Sequence, residues 1–347
     1  QWGVRSKEFG GRGYNQLLFD DTDAQGRAQL KSSYAASELN LGHLTHAADN
    51  FRGSFRGLGA ELRTDAYGAV RGGAGLLVSS YKANHGAAAR GAAGENGAGI
   101  ALLNQAATLA QTFSAAAVTH QSVGMGAHLG ATKANSSVLD DKAAPLKAML
   151  ASLSGTTGEA KVPHSTDPVI AIAAKDGLGV NAAQGIQLVT GETVALMSGQ
   201  DMQFITGGQM RVHTGQAIGI LGGSVRPGEG GTGVQLIAAK DAIDIQAQAA
   251  ELKIQARDEV DVISANAHVD WAAAKSISLS TAGGANITIA GGNITVQCPG
   301  KIKIHAGKKS FTGPERLAFD MPALPRSICV ACLKKALDSG PAFTLVE

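Results

Sequence analysis

The sequence is poor in several residue types, and each shortage excludes a class of protein. Only three of its 347 residues are cysteine, which rules out a disulfide framework and fits synthesis in a reducing cytoplasm. Aromatic residues make up 4% of the chain, and the formal net charge of +2 gives no support for nucleic-acid binding. The chain contains no run of about 18 apolar residues, which is the length needed to span a bilayer. The chain begins at Gln1 without the basic and apolar segments of a secretion signal, so we expect none.

What the sequence does contain is a repeat of eight residues. Between residues 169 and 221, two apolar residues separated by one other residue recur seven times. This spacing puts both side chains on one face of a strand, and the Gly, Ala, Ser and Asn residues between the pairs are typical of tight bends. The pairs are Ile170/Ile172, Leu178/Val180, Ile186/Leu188, Val194/Leu196, Met202/Phe204, Met210/Val212 and Ile218/Ile220. One short strand and one bend, repeated, predict a solenoid.

The repeat resumes after a loop at residues 222–233. Nine further pairs follow at spacings of seven to ten residues, which predicts bulges or insertions at the corners, and Phe311 closes the series. These pairs are Val234/Leu236, Ile243/Ile245, Leu252/Ile254, Val260/Val262, Val269/Trp271, Ile277/Leu279, Ile287/Ile289, Ile294/Val296 and Ile302/Ile304. A strand of four or five residues is not stable by itself, so each strand must stack on the next.

Two arrangements of the solenoid fit this pattern. One chain could wind by itself with about 24 residues per turn, or three chains could wind together, each supplying one side of every layer. The seven interchangeable octads, with two medium-sized apolar side chains per strand, favour the threefold arrangement. We therefore predict an all-β fold: a triangular β-helix, or β-prism, formed by an intertwined homotrimer. The seven octad pairs should form its core.

Composition divides the chain into four segments. Residues 1–80 contain β-like runs with glycine-rich turns and predict a β-rich neck. Residues 81–168 lose the alternation and contain helical patterns at 100–120 and 142–152, so we expect an insertion that packs outside the prism and is the least protected part of the chain. Residues 169–313 are the predicted prism. Residues 314–347 leave it through several prolines and form a tail with a short helical pattern.

A motif near the start of the chain resembles the valine-glycine repeat protein G (VgrG) family, the spike of the bacterial type VI secretion system. It runs Gly10-Gly11-Arg12-Gly13-Tyr14-Asn15-Gln16-Leu17-Leu18-Phe19-Asp20-Asp21, with Gln16 where the family usually has Glu. Residues 27–46, 55–77 and 299–314 are also similar to the family. Because these matches lie at both ends of the repeat, the resemblance extends over essentially the whole chain.

This resemblance implies a function, partners and a location. It implies a structural spike, an intertwined trimer, that punctures target membranes and carries cargo. The base domains that contact the tube protein, haemolysin-coregulated protein (Hcp), would lie outside these residues. A proline-alanine-alanine-arginine (PAAR) repeat protein would cap the blunt end, with an effector toxin, for example of the Rhs type, or an adaptor. Such a spike assembles in the bacterial cytoplasm and is then secreted into or onto target cells.

We predict that the end of the repeat and the tail bind this cap or its effector. After Phe311 the alternation stops but apolar residues continue, and three copies of them would expose a hydrophobic patch. The predicted binding residues are Ile302, Ile304, Phe311, Ile328, Cys329, Cys332, Leu333, Leu337 and Phe343.

Three short motifs have possible metal chemistry, and each has a simpler interpretation. Cys329 and Cys332 form a CxxC pair that could bind metal or be redox-active, but the surrounding apolar residues favour packing on a short helix. His43 and His46 have the spacing of a ligand pair on a helix, yet their segment is expected to be extended. Residues 21–26 resemble the start of a calcium loop but lack its bidentate glutamate, which favours a hairpin turn. We therefore predict no metal, no cofactor and no catalytic residue.

The alternative function is that of a monomeric β-helix enzyme acting on polysaccharide. Such an enzyme would need charged or aromatic residues clustered on one face of several turns, whereas the first octads show only scattered charges such as Asp201 and Arg211. Carboxylates that alternate outward in the second run are most simply a solvated face. They are Asp241, Asp244, Glu251, Asp258, Glu259 and Asp261.

Overall fold

The computed structural model describes residues 1–48, 51–88, 91–124 and 137–324. Contacts divide these residues into two compact units. The first consists of the described residues of Gln1–Leu188 together with Glu192–Arg226, and the second consists of Val189–Gly191 and the described residues from Pro227 onward. Most of the regular elements are β-strands, and the two α-helices belong to the first unit.

Five antiparallel strands form one sheet at the start of the first unit, in the order of the sequence. They are β1 (Trp2–Lys7), β2 (Tyr14–Asp20), β3 (Arg27–Ser32), β4 (Ser37–Ala48) and β5 (Phe51–Arg63). Their register aligns Val4, Leu17, Leu30, Leu39 and Leu62 in one row across all five strands. Since side chains alternate between the two faces of a sheet, this row belongs to an apolar face.

The opposite face carries a series of side-chain hydrogen bonds that crosses the strands. Arg5 on β1 donates to Gln16 Oε1 at 2.6 and 2.8 Å, and Gln16 in turn donates to Gln29 Oε1 at 3.1 Å. From Gln29, Nε2 reaches Glu38 Oε2 at 2.8 Å and Asn40 Oδ1 at 2.9 Å. Four of these side chains are buried, and buried polar groups are stable only when they are hydrogen-bonded.

The series ends on β5, where two ion pairs hold it. Asn40 donates to Glu61 Oε2 at 3.1 Å, Arg56 Nη2 lies 2.5 Å from Glu61 Oε1, and Arg63 Nε lies 2.5 Å from Glu38 Oε1. The hydrogen bond from Arg56 holds the pKa of Glu61 below its ordinary value. A shift of one residue in any strand would turn these polar groups to the apolar face, so the network fixes the register of the sheet.

Asp20, at the end of β2, is the most deeply buried charged group described, with 1% of its surface exposed. Its carboxylate accepts hydrogen bonds from Thr22 Oγ1 at 2.6 Å and Gln1 Nε2 at 2.7 Å, and lies 3.4 Å from Arg27 Nε and 3.8 Å from Arg52 Nε. Burial by itself would raise the pKa of Asp20. The hydrogen bonds from Thr22, Gln1 and Arg27 outweigh burial and hold the pKa well below its ordinary range.

A helical insertion separates two strands that pair with each other. Strand β6 (Leu76–Ser79) pairs in parallel with β9 (Ile170–Ala173), and a parallel pair requires a long crossover connection. That connection contains α1 (Gly97–Thr119), α2 (Pro145–Leu153) and a two-residue ladder of β7 (Thr156–Thr157) with β8 (Val162–Pro163). Both predicted helices are confirmed. Helix α2 begins at Pro145, because proline suits the first helical position.

The described part of this insertion packs on the repeat of its own chain. The Ser137 hydroxyl lies 3.2 and 3.3 Å from the two carboxylate oxygens of Glu192, which also accepts the backbone N–H of Val138. A Cβ on Gly219 would lie 2.8 Å from Val123 Cβ, so this close approach depends on glycine. The insertion is thus fixed to two distant octads. Its lower protection relative to the repeat stays a prediction.

From residue 174 to residue 275 the chain is a series of short segments separated by bends. In the first run the bends fall at residues 175–176, 183–184, 191–192, 199–200, 207–208 and 215–216. This period of eight confirms the prediction of one bend per octad. Within the described residues, none of the segments from 174 to 275 is paired as a strand with another part of the same chain.

The second unit contains an antiparallel sheet where the sequence predicted further stacked strands. Strands β10 (Ser276–Ser280), β11 (Asn286–Ala290) and β12 (Asn293–Gln297) are joined in sequence order. Gly291 and Gly292 connect β11 to β12 with φ angles of 57° and 81°, which glycine adopts without strain. The expectation of one uniform solenoid to residue 313 is therefore wrong for residues 276–297, because this two-glycine turn folds the chain back as a hairpin.

Replacing Asp20 by asparagine tests the buried ion pair. At neutral pH we expect Asp20→Asn to lower the free energy of unfolding by about 3 kcal/mol, because two arginines lose their counter-charge. The folded-state pKa lies below the unfolded value of about 4, so the contribution of Asp20 is complete above that pH and is lost as the pH falls below it. Denaturant unfolding curves of the two proteins should therefore converge on acidification.

The matched control is Asp21→Asn, which removes an exposed carboxylate from the next position. We expect it to change the unfolding free energy by less than about 0.5 kcal/mol at any pH in this range. A stability difference for Asp20→Asn that stays constant from neutral to acid pH would contradict the assignment of a depressed pKa to Asp20.

Candidate functional site: an apolar stripe along the repeat

The seven octad pairs predicted as a trimer core form an exposed apolar stripe on the single chain. Their fractional exposures lie between 47% for Met202 and 74% for Leu188. The stripe consists of Ile170, Ile172, Leu178, Val180, Ile186, Leu188, Val194, Leu196, Met202, Phe204, Met210, Val212, Ile218 and Ile220. Soluble proteins rarely leave this many large apolar side chains exposed within one segment of the chain unless they bind a partner.

The described part of the chain has almost no apolar core of its own. Its buried apolar side chains are all alanines, namely Ala110, Ala117, Ala144, Ala148 and Ala173. The chain exposes 29424 Å², whereas a compact monomer of this mass would expose about 13,000 Å². A sequence that is 44% hydrophobic therefore leaves most of its large apolar side chains in contact with solvent.

The antiparallel sheet of the second unit also has one apolar face and one polar face. Its register aligns Ile277, Ile289 and Ile294 in one row, and Leu279, Ile287 and Val296 in a second row on the same face. The other face is polar and uncharged: Asn286 Nδ2 lies 2.8 Å from Ser278 Oγ and 2.7 Å from Ser280 Oγ. The pairing of apolar residues predicted from the sequence is thus retained, although the strands are connected differently.

The predicted cap residues lie partly within the structure. Ile302 and Ile304 are exposed, and Phe311 is the most exposed of the three at 97%. The remaining predicted residues lie outside the described part of the chain: Ile328, Cys329, Cys332, Leu333, Leu337 and Phe343. The structure therefore contains the end of the repeat as an unpaired apolar surface, and the tail stays a prediction.

Two of the motifs weighed for metal chemistry have structural roles. Residues 21–26 form the turn between β2 and β3, closed by the Gln25 N–H on the Thr22 carbonyl at 2.8 Å. His43 lies on β4 with its ring centroid 4.8 Å from that of Phe55. Across the described ranges, no group of three or more His, Cys, Asp or Glu side chains has a metal-binding arrangement. The helices described there are also too short or too polar to cross a membrane.

The outward carboxylates of the second run are exposed and form only local ion pairs. Glu251 lies 2.8 Å from Lys253 Nζ, and Asp258 lies 3.6 Å from Arg257 Nε. Both pairs join residues one or two positions apart, and exposed pairs of this kind contribute little free energy.

The polar network of the first sheet and the Glu192 contact were not predicted from the sequence. A signal for the network is present in Arg27–Ser32 and in the first half of Ser37–Ala48, where polar residues alternate with alanine or leucine, whereas Leu17 and Leu18 are adjacent in Tyr14–Asp20. Such alternation is compatible with a solvated face, and only the register shows that the polar groups meet. The contact between Ser137 and Glu192 joins residues 55 positions apart and has no local signal.

Two family profiles match the chain. One is described as a putative type VI secretion system Rhs element Vgr and matches residues 7–117. The other is described as an uncharacterized protein conserved in bacteria (DUF2345) and matches residues 157–315. The first match extends into the helical insertion as far as residue 117, near the end of α1, and the segment between the two matches contains α2.

Curated relatives are spike proteins of Pseudomonas aeruginosa. The type VI secretion system spike protein VgrG2b is 32% identical over 92% of this chain and 29% of its own length. The type VI secretion system spike protein VgrG2a is 42% identical over 123 residues, which cover 35% of this chain and 14% of its own length. The present chain thus spans less than a third of either relative.

Solved structures of VgrG spikes have a similar fold. The VgrG spike from the type VI secretion system has a TM-score of 0.68 at 28% identity, over 87% of this chain and 99% of that one. The Tle1 effector bound to the VgrG spike has a TM-score of 0.69 at 27% identity, over 88% and 82% of the two chains. The fold is therefore that of the mostly-β secretion spikes. The chain belongs to the VgrG family.

Proposed function

We propose that this chain forms the shaft of a homotrimeric VgrG spike, a structural protein that punctures target membranes and delivers an effector. The exposed apolar stripe carries this proposal. A spike needs stiffness and a means of holding cargo, and neither requires catalysis. The trimer buries the stripe of each chain against the stripes of two others around a common axis.

The unpaired backbone of residues 174–275 supports three chains rather than one. Backbone N–H and C=O groups that leave water must find partners, and a single described chain supplies none in strand pairing over this range. Two further copies would supply them, with each layer containing one strand from each chain. Hydrogen bonds between chains would then resist axial load along the whole prism.

The exposed apolar residues at the end of the repeat support the proposal that a tip protein binds there. Ile302, Ile304 and Phe311 would converge near the axis in three copies, and a PAAR-repeat tip protein would cover them. The solved spike with bound Tle1 shows that a relative holds an effector. By analogy, the present spike would carry an effector toxin or an adaptor at its end or on residues 314–347. Contact with the Hcp tube would involve base domains outside these residues.

The alternative function, a monomeric enzyme acting on polysaccharide, has less support. It would use the apolar stripe as the core of a lone β-helix, yet the stripe is open to solvent in the single chain. A spike that is assembled in the bacterial cytoplasm and secreted into or onto target cells needs no active site.

Placing a charge in the stripe tests the assignment of the core. Ile186→Asp would bury three carboxylates in one layer of the trimer, which costs several kcal/mol even after the carboxylates adjust their pKa values. We expect loss of the trimer, or a melting temperature lower by at least about 10 °C. The measurements are light-scattering mass and thermal melting monitored by circular dichroism.

The matched control is Gln187→Asp, at the adjacent outward position of the same strand. Its charge should stay solvated, and both mass and melting temperature should remain those of the unchanged protein. Equal effects of the two substitutions, or no effect of Ile186→Asp, would remove Ile186 from the core.

Removing the tail tests cargo binding. Deletion of residues 324–347 should leave the trimer and its melting temperature intact, because the octads lie upstream. Co-purification of the cap or effector from a lysate of the source bacterium should be lost. Retention of cargo at the affinity of the intact chain would exclude the tail as the binding segment and direct the search to residues 81–168.

A further inference from the structure

Charge is distributed unevenly along the second unit. Residues 241–270 contain seven carboxylates against one lysine and one arginine. From residue 271 to residue 314 there is no aspartate or glutamate, while five lysines occur there. Four of these lysines fall within nine residues at the end of the repeat: Lys301, Lys303, Lys308 and Lys309.

These four lysines are exposed and without counter-charge in the described structure. All residues from 301 to 309 are exposed. The ion pairs of the second unit involve Lys253, Arg257 and His268, and no described carboxylate pairs with the four lysines. Lys301 and Lys303 alternate with Ile302 and Ile304, so that the charged and apolar side chains of this strand fall on opposite faces if it is extended.

The absence of arginine here narrows the kind of anionic partner. Arginine recognises carboxylates and phosphates with a rigid two-pronged geometry and is enriched in protein–protein interfaces, where lysine is depleted. No arginine occurs between Arg257 and Arg316. A cluster made only of lysines is instead suited to a diffuse anionic surface, to which each flexible ammonium group adds attraction without a fixed geometry.

We infer that the lysine cluster of residues 301–309 binds the surface of an anionic lipid bilayer. The inference rests on the proposed trimer, in which three copies place twelve lysines around one end. The formal net charge of the chain is only +2, so the lysines do not belong to the wide basic surface that a nucleic-acid-binding protein has. The apolar residues between them remain available for the cap on the axis, so the lysines would surround the cap seat and attach the end of the spike to the membrane.

Vesicle flotation of the full chain tests this inference. The probes are vesicles of pure phosphatidylcholine and vesicles that contain 30 mol% phosphatidylglycerol. We expect binding only to the anionic vesicles, and a marked loss of binding at 0.5 M salt because screening shortens the range of exposed charges. The quadruple variant Lys301→Gln, Lys303→Gln, Lys308→Gln, Lys309→Gln should bind the anionic vesicles on the order of 100-fold more weakly.

The matched control removes the same number of exposed lysines from the first unit: Lys142→Gln, Lys147→Gln, Lys161→Gln, Lys175→Gln. It should retain binding within about threefold. Equal loss in both variants, equal binding to neutral vesicles, or tighter binding to duplex DNA than to anionic vesicles would overturn the inference. Mass in solution is measured on the same samples: a trimer that ignores vesicles contradicts only the lipid contact, whereas a monomer contradicts the proposed function.

Discussion

A strand of four or five residues with two apolar side chains cannot bury them by itself, and the rest of this structure depends on that constraint. Burial requires another strand above, below and opposite. Each octad adds two apolar side chains that it cannot bury by itself, so the apolar area that needs a partner strand grows with the number of octads. In a single chain the buried apolar residues described are alanines, which contribute little area.

The first sheet meets the same constraint in another way. Its polar face is completed within one chain by hydrogen bonds from Arg5 on β1 to Glu61 on β5, and Asp20 ties the start of the chain to β3 and β5. These contacts fix the register, but they do not bury the apolar row from Val4 to Leu62, which lies on the other face of the sheet. The sheet therefore has a fixed register and one apolar face, on which Val4, Leu17, Leu30 and Leu62 are exposed in the single chain.

The sequence predicted the structure where the spacing of apolar residues determines it. It did not predict the structure where contacts between residues distant in the sequence determine it. The octad predicted the bends of the first run, and the Ala-rich patterns predicted both helices. The two-glycine turn at Gly291 is a local signal for a hairpin, but the strong repeat on both sides concealed it. No local pattern shows that Glu192 accepts a hydrogen bond from Ser137, or that Gln29 donates to both Glu38 and Asn40. These contacts depend on how distant strands and loops are placed.

The central claim is that three copies of this chain share one core, and mass in solution tests it most directly. One chain has a mass of 35.2 kDa. Light scattering coupled to size-exclusion chromatography, at micromolar concentration and in mild detergent, should give roughly 105 kDa if the octads form a threefold prism. A single species near the mass of one chain, folded and stable under these conditions, would contradict the trimeric spike and favour a lone β-helix.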